Sequence, residues 1–441
     1  MNETSGSARS ITEHEPIERK SLSPAACSAL QRLDEQRAEK AGQTIFDWSR
    51  RATLRARSWV GVVQVPGLSI EILPKIEGLQ HAEARRNLLF MLDMAGELSS
   101  RQRDLASLAV GPGSLLEALI LLFSERLLAE LRVGLDHAYT PREESAGFVR
   151  GKLLLREHLV RNAAHKERVF IAFDDFMSDT PLNRIFKRTC RILVGRTRGR
   201  VAERNLRAAL LAFDDVQDVE IGAHHFDQVQ LSRLSDRFET LLGFCRIVLL
   251  DGAPSPHAGD RSTFSLLFPM EKVFERFVAQ ALRRCSPHLE LEPWRVDVQG
   301  RSAPRWLASD GSRERFRLRP DIVIRGDDRP GLLIDTKWKR LRSERGNSDG
   351  VSPADMYQMV AYATAYSCDD SVLVFPRVSG AEPRRYLLQA AAPASRTIRV
   401  ELIDLSRDLW THREGLIADL RRVLGRTGDR GDQAAQVARP E

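Results

Sequence analysis

Apolar residues at helical spacing dominate the first part of the chain. Their recurrence every three to four positions predicts helices over 80–98, 114–132, 152–164 and 180–194. Two β-rich runs within Ser58–Ile76 flank Pro66-Gly67, which is a turn signal, and predict a hairpin. This part of the chain is therefore predicted to be mainly helical, with one small β hairpin.

The pattern changes after Asp251–Ser262 (DGAPSPHAGDRS), a segment rich in Pro, Gly, Ala and Asp that shows no periodicity. Beyond it, helices alternate with short apolar strands: helix 270–284, strands near 290–297, 315–325 and 331–338, helix 353–366, and strands at 371–376 and 397–403. Such alternation is typical of an α/β domain in which helices flank a mixed sheet. The chain as a whole is accordingly predicted to be α+β or α/β.

These changes divide the chain into four predicted segments. Residues 1–20 and 426–441 are polar or small and are predicted to be disordered tails. Between them, residues 21–250 form an N-terminal region and residues 251–425 form a second domain. The N-terminus has no apolar signal-peptide core, and no apolar run is long enough to span a bilayer. A cytoplasmic protein without a membrane partner is therefore expected.

Composition and short motifs exclude only a few kinds of binding site. The 441 residues include 67 Lys and Arg against 60 Asp and Glu, a net charge of +7 that is a weak indication of a polyanion partner. The five cysteines lie far apart and lack CxxC or Cys/His pairing, which argues against a disulfide framework or a zinc site. Because no GxxxxGK(S/T) phosphate loop is present, this chain is not expected to bind a nucleotide itself.

Candidate chemistry concentrates in Leu318–Leu341, LRPDIVIRGDDRPGLLIDTKWKRL, where charges interrupt two apolar strands. A hairpin that turns symmetrically about Asp328 places Asp321 opposite Asp335, with Cβ atoms about 4.5–5.5 Å apart. Alternation along the second strand puts Asp335 and Lys337 on the same side. The hairpin is therefore predicted to gather two carboxylates and an ammonium group.

Two carboxylates this close repel each other unless a hard divalent cation lies between them. A lysine beside them can hold a phosphate oxygen or the attacking water, so the trio is the minimum apparatus for metal-assisted phosphodiester hydrolysis. The motif PD followed by DxK is short, however, and the alternative is an exposed hairpin with solvated charges.

The helices MEKVFERF and ADMYQMVAYA on either side of the hairpin complete a pattern that resembles the PD-(D/E)xK nuclease fold. More narrowly, the chain resembles the McrC subunit family of the McrBC modification-dependent restriction endonucleases over about residues 58–405. The resemblance includes the segments EILPK (Glu71–Lys75), FVRGKL (Phe148–Leu153) and FDDFMSDTPLNRIFKRT (Phe173–Thr189).

This resemblance implies a Mg²⁺-dependent endonuclease subunit, with Mn²⁺ as a possible substitute, that cuts double-stranded DNA in a 5-methylcytosine-dependent restriction system. Residues 251–425 would be the nuclease domain, and residues 21–250 would dock on an McrB-like AAA+ GTPase ring and stimulate it. Asp321, Asp335 and Lys337 would be the catalytic set, with Asp321 and Asp335 holding the metal. The middle acid is Asp rather than the commoner Glu, a substitution that the family often shows.

The resemblance also implies supporting residues, and each has a plainer alternative. Glu275 would be the helix acid near the metal, although it is equally consistent with a solvent-facing helix flank, and Glu271 is a rival. Gln358 would orient water or phosphate, or else is a helix-packing amide, whereas Tyr362 is predicted to be core. The DNA backbone contacts would be Lys339, Arg340 and Arg342, which follow the DxK strand.

Two other functions remain open on the sequence. One is a non-catalytic adaptor that activates an AAA+ GTPase, and the other is a stand-alone DNA-repair nuclease. Likewise, Asp174–Lys187 either reaches the partner or braces the fold, with Asp179 as an N-cap before Pro181.

Overall fold

The structure is a computed structural model that describes residues 7–96, 114–231, 235–251, 263–291, 293–326, 330–341, 350–388 and 396–425. The chain forms two compact units. The split unit consists of Met1–Leu115 and Ala258–Glu441, and the inserted unit is Leu116–His257. Among the described residues, no helix is both long enough and apolar enough to cross a membrane.

The described strands, in chain order, are β1 Ser7–Thr12, β2 Pro16–Glu18, β3 Phe46–Asp47, β4 Thr53–Ala56, β5 Trp59–Val65, β6 Leu68–Leu73, β7 Ala138–Ala146, β8 Lys152–Leu153, β9 Val169–Met177, β10 Phe264–Pro269, β11 Arg295–Val298, β12 Arg305–Ser309, β13 Glu314–Leu318, β14 Ile322–Arg325, β15 Pro330–Thr336, β16 Asp370–Pro376, β17 Arg384–Leu387 and β18 Thr397–Ile403.

The described α-helices are α1 Pro24–Ala41, α2 His81–Met94, α3 Ser114–Leu131, α4 Leu155–Arg161, α5 Pro181–Val194, α6 Arg200–Ala212, α7 Ala223–Asp227, α8 Glu239–Arg246, α9 Met270–Arg284, α10 Pro353–Ala365 and α11 Arg413–Val423. The mixed α/β character predicted from the sequence is therefore confirmed.

A six-stranded mixed sheet, ordered β11-β14-β15-β16-β18-β17, forms the centre of the split unit. Strands β14 and β15 are antiparallel, whereas β15, β16 and β18 run parallel. Parallel neighbours need a long crossover, and α10 supplies the one between β15 and β16. Apolar residues of β15, β16 and β18 are fully buried, including Leu333, Val372 and Val400.

A four-stranded sheet, ordered β1-β6-β5-β10, joins the two sequence segments of the split unit. Strand β10 pairs antiparallel with β5 and leads directly into α9. The backbones approach closely at Gly61, where an added Cβ would lie 2.0 Å from the Leu266 carbonyl oxygen. The predicted domain boundary near residue 250 is therefore wrong, because strands before it share a sheet with a strand after it.

The first predicted tail also needs correction. Residues Ser7–Thr12 form β1, which pairs in parallel with β6, and Ile11 is fully buried. A polar segment with few apolar residues is thus ordered by pairing with a strand about sixty positions away. The other predicted tail, 426–441, lies outside the described residues.

The inserted unit combines helices with a three-stranded sheet, ordered β7-β9-β8. Fully buried aromatic residues form its helical core: Phe123, Phe186, Phe213, Phe238 and Phe244.

The prediction of one small hairpin in the first part of the chain was wrong, since β1–β9 all lie before residue 250. Strand β7 was not predicted, because it is exposed along most of its length and its sequence lacks apolar alternation.

The strand predicted over 315–325 is two strands in different sheets. Strand β13 pairs with β12, whereas β14 belongs to the central sheet. The break falls at Arg319-Pro320, because proline has no backbone N–H for a ladder. Asp321 therefore stands at the start of β14.

Candidate functional site

The β14–β15 hairpin has the register predicted from its sequence at the end that carries the acids. Ile322 pairs with Ile334, so one further position outward sets Asp321 opposite Asp335. The ladder shifts between Ile324 and Arg325, toward the turn, and Asp328 lies outside the described residues. The strand alternation has thus brought the two acids together.

Asp321 is anchored by the residue between the other two members of the trio. Its Oδ2 atom accepts hydrogen bonds from the Thr336 backbone N–H at 2.8 Å and the Thr336 hydroxyl at 2.7 Å. Burial raises the pKa of Asp321 to about 7, and the charges of Asp335 and Glu275 add to this effect against the Thr336 hydrogen bonds. Thr336 was not singled out from the sequence.

Asp335 is only 2% exposed, and its Oδ2 lies 2.6 Å from Lys337 Nζ. This oxygen is in ion-pair contact but makes no hydrogen bond of acceptable geometry. Burial raises the pKa of Asp335, and Lys337 partly opposes that rise. Asp335 Oδ2 is therefore a buried carboxylate oxygen whose cationic neighbour is Lys337.

Lys337 is held by partners on helix α10. Its Nζ donates to Gln358 Oε1 at 2.8 Å and lies 3.7 Å from Asp355 Oδ1. Burial lowers the pKa of Lys337, but the charges of Asp335, Asp355 and Asp321 more than offset it and leave the pKa above its usual value. The ammonium group therefore stays charged at neutral pH.

The structure distinguishes the two candidate acids of α9. Glu275 is 4% exposed, and its carboxylate accepts hydrogen bonds from Gln299 Nε2 at 3.0 Å and Lys272 Nζ at 2.6 Å. Its charge contributes to the raised pKa of both Asp321 and Asp335. Glu271 is exposed, although it also lines the cleft. The buried Glu275 thus belongs with the aspartates and is not a solvent-facing flank.

Gln358 links the lysine to a buried tyrosine. Its Nε2 donates to the Tyr362 hydroxyl at 2.8 Å, and that hydroxyl donates to the Arg319 carbonyl at 3.0 Å. Tyr362 is 5% exposed, as predicted for a core residue. Gln358 thus connects α10 with the DxK segment through its oxygen and is fixed by Tyr362 of the same helix through its nitrogen.

Asp355 was missed by sequence reasoning. It lies in the first turn of α10, which Ser352 caps, and it pairs with Lys339. An acid in a first helical turn is ordinarily explained by the helix dipole, so no sequence signal distinguished it. Lys339 is paired with Asp355 but its side chain is 40% exposed, and Arg340 is exposed as well. Arg342 lies outside the described residues.

The trio, Glu275 and Gln358 line one cleft of about 690 Å³, with Lys272 and Arg340 also on its walls. Among the described residues, no group of three or more His, Cys, Asp or Glu side chains is arranged to hold a metal alone. Mg²⁺, however, typically takes one or two carboxylates and completes its shell with water and substrate phosphates. The carboxylates of Asp321 and Asp335, which line the same cleft, fit that requirement.

Within Asp174–Lys187, in the inserted unit, Asp179, Arg184 and Lys187 make contacts that brace the fold. Asp179 accepts hydrogen bonds from Arg184 Nε at 2.7 Å and from Arg184 Nη2 at 2.6 Å. Lys187 Nζ donates to the carbonyls of Phe213 at 2.8 Å and Val216 at 2.6 Å. The N-cap is Thr180, whose side chain accepts from the Asn183 N–H, and the prediction of Asp179 as the cap was wrong.

Comparisons with known proteins agree with this architecture. A family model described as McrBC 5-methylcytosine restriction system component matches residues 54–376. No curated protein matches the chain.

Two solved structures share the fold. One is a half-complex from a tetradecameric assembly of Thermococcus gammatolerans McrB AAA+ hexamers with bound McrC, at 21% identity and a TM-score of 0.63, covering 94% of this chain and 99% of that chain. The other is the cryo-EM structure of the Thermococcus gammatolerans McrBC complex, at 24% identity and a TM-score of 0.51, covering 63% of this chain and 88% of that chain.

Proposed function

The chain belongs to the McrBC 5-methylcytosine restriction system component family, and from that premise we propose that it is the DNA endonuclease subunit of such a system. Its split unit, with a PD-(D/E)xK nuclease site, hydrolyses phosphodiester bonds of double-stranded DNA with Mg²⁺. It works with an McrB-like AAA+ GTPase that it binds and stimulates.

The observation that carries this proposal is the convergence of Asp321, Asp335 and Lys337 at one end of the β14–β15 hairpin. Asp321 and Asp335 would hold the cation. When bound, Mg²⁺ supplies Lewis-acid polarisation of the phosphoryl group and activates water. Lys337 stabilises the negative charge that develops on the phosphoryl oxygens, since its ammonium group is fixed beside the acids and stays charged.

The remaining residues of the cleft set the geometry. Gln358 and Asp355 keep Lys337 directed at the cleft, and the Thr336 hydrogen bonds keep Asp321 at the strand start. Because burial raises the pKa of Asp321 to about 7, cation binding must displace a proton below that pH. Glu275 adds a third negative charge that favours a divalent cation over a monovalent one.

The inserted unit supplies the proposed docking surface for the GTPase. Helix α4 buries none of its seven residues, although three of them are Leu or Val. At the other end of the β7–β9 pair, Tyr139 and Phe176 face each other with rings 5.0 Å apart, and they are 72% and 56% exposed. Exposed apolar residues clustered in this way are typical of an interface with another protein.

Substitution of Asp335 by Asn tests the nuclease assignment in the full chain. With the AAA+ partner, GTP, Mg²⁺ and DNA containing 5-methylcytosine, Asp335→Asn should lose cleavage by about 10²-fold or more. Stimulation of GTP hydrolysis should persist, because the inserted unit is untouched. Stimulation without cleavage by the wild-type chain would instead support the adaptor function, and full cleavage without any partner would support the stand-alone nuclease.

A matched experiment tests the docking surface. Tyr139→Ala combined with Phe176→Ala should reduce GTPase stimulation, whereas an equally exposed apolar change in the split unit, Tyr357→Ala, should not; Tyr357 is 73% exposed. Equal stimulation by all three proteins would move the docking surface elsewhere.

A further inference from the structure

A second cavity, of about 280 Å³, lies beside the catalytic cleft in the split unit. The two share His14, Trp338, Lys339 and Arg340 as lining residues, so they are neighbouring parts of one depression. The residues between them follow directly after β15, on the same chain segment as Asp335 and Lys337. The second cavity and the catalytic cleft therefore adjoin along this segment.

Basic side chains from four different parts of the chain line this second cavity. Lys75 follows β6, Arg377 follows β16, Arg340 follows β15, and Arg55 lies on β4. Within the part of the chain that the structure describes, none of the four forms an ion pair with a carboxylate. Arg55 and Arg377 each have a buried Nε without a hydrogen-bond partner. Unsatisfied cationic groups gathered around one cavity indicate an anion site.

The pKa of His14 is affected by the same positive charges. Burial lowers its pKa, and Lys75, Arg340 and Arg55 lower it further. His14 also has φ of 62°, a conformation uncommon for a residue with a side chain, and its N–H donates to the Ala56 carbonyl at 2.9 Å. The backbone is thus held in a costly geometry at the boundary between the two cavities, as is frequent at ligand sites.

The two acids of the cavity do not cancel this charge. Glu13 is 1% exposed, and its carboxyl group accepts hydrogen bonds from Trp338 Nε1 at 3.1 Å and the Lys75 N–H at 3.1 Å. Burial raises the pKa of Glu13 to about 8, so this group is mostly neutral at pH 7. Glu77 is ionised, but it accepts a hydrogen bond from the Ser379 N–H and is a single charge against four.

We propose that this cavity, formed by Arg55, Lys75, Arg340 and Arg377, binds a DNA backbone phosphate adjacent to the scissile one. The inference rests on the proposed nuclease function and extends it, since three of these cations lie outside the hairpin that carries the acids. Continuity with the cleft favours DNA over a free anion or an acidic peptide. Phosphate binding of this kind positions the duplex without reading its sequence. The N-terminal strands thereby become part of the DNA-binding surface.

The test uses the full-length chain with two charges removed from the cavity. Lys75→Gln combined with Arg377→Gln is compared with a matched control, Lys20→Gln combined with Arg207→Gln, whose lysine and arginine are 83% and 66% exposed in surface ion pairs. Binding to a duplex of about 20 base pairs is measured by fluorescence anisotropy across a range of salt concentrations. The charge-retaining variant Lys75→Arg with Arg377→Lys serves as the rescue, and thermal unfolding checks that each protein is folded.

The cavity variant should bind more weakly, and its slope of log K against log salt should be shallower by about 0.9 for each DNA phosphate that the protein no longer neutralises. The control and the rescue should match the wild type. A wild-type slope in the cavity variant, or an equal reduction in the control, would overturn the inference while leaving the nuclease proposal standing. If the wild-type chain does not bind DNA even at low salt, the nuclease proposal fails as well. Normal DNA binding without GTPase stimulation would assign the cavity to an acidic partner segment instead.

Discussion

The ammonium group of Lys337 lies 2.6 Å from the Asp335 carboxylate that it follows by two positions in the chain. Both side chains point to one side of β15, as alternation along a strand requires. The pair is surrounded by Asp321 across the hairpin and Gln358 on α10. This ion pair sets the chemistry of the cleft, because it keeps a charged donor beside a buried acid.

Removal of the lysine should abolish most of the cleavage activity. We expect Lys337→Ala to lower the single-turnover rate by about 10²-fold or more, since a stabiliser of transition-state charge is removed. Lys339→Ala is the matched control two positions on, where the ammonium group pairs with Asp355 at the edge of the site. Rates should be compared with the partner, GTP and Mg²⁺ at saturating DNA. Equal effects of the two changes would contradict the role given to Lys337.

The metal requirement should be that of a site made of oxygen ligands. EDTA-treated protein should be inactive, and Mg²⁺ or Mn²⁺ should restore cleavage. Because the pKa of Asp321 is raised to about 7, the rise in melting temperature caused by Mg²⁺ should be larger at about pH 8 than at about pH 6. Asp321→Asn should remove that difference. Cleavage without added metal, or a cation effect independent of pH, would contradict the assignment.

Removing the amide that holds Lys337 should lower the cleavage rate less than removing Lys337 itself. Gln358→Ala deletes the amide that accepts from Lys337 and donates to Tyr362, and we expect cleavage to fall by roughly tenfold, about 1.4 kcal/mol of positioning free energy. Tyr357→Ala, which alters the exposed neighbour on the same helix, should leave the rate unchanged. The KM for DNA should be similar in both variants. A larger effect on KM than on kcat would indicate that Gln358 binds substrate instead.

Glu13 should make stability depend on pH. Its pKa is about 8 in the folded chain against 4.5 as a free group, so unfolding releases a proton between these values. The folded state therefore loses stability as pH rises from about 4.5 to 8, by up to a few kcal/mol. Glu13→Gln should flatten this decline, measured as the change in melting temperature of metal-free protein between about pH 5.5 and 8.5. Parallel curves for the two proteins would show that Glu13 ionises normally.

The sheet that joins the two segments of the split unit should be sensitive at Gly61. Its φ of 134° and its approach to Leu266 leave no space for a side chain, so Gly61→Ala should destabilise the protein by several kcal/mol. Gly67→Ala is the control, because that turn glycine has φ of 73° but open space around it, and about 1 kcal/mol is expected. Melting temperatures of the two variants measure the difference. Similar values would contradict the close pairing of β5 with β10.

The sequence by itself determined the parts of the site that depend on local periodicity. Alternation along two short strands and a turn between them are enough to put Asp321 opposite Asp335 and Lys337 beside it. The helices α9 and α10 were predicted within a residue or two for the same reason, since their apolar spacing is a property of neighbouring positions.

Only the tertiary structure decided which residues accompany the trio. Glu275 and Glu271 are equivalent on sequence, and the packing of α9 buries one and exposes the other. Glu13 and Trp338 form a hydrogen bond although they are 325 positions apart in the chain, and β5 pairs with β10 about two hundred positions away. The spacing of neighbouring residues predicts neither contact. The N-terminal segment therefore looked separate from the cleft in sequence, although folding places its residues His14 and Ser58 in the lining of the cleft. Burial and long-range strand pairing depend on the whole chain, which is why the pattern along the chain could not reveal them.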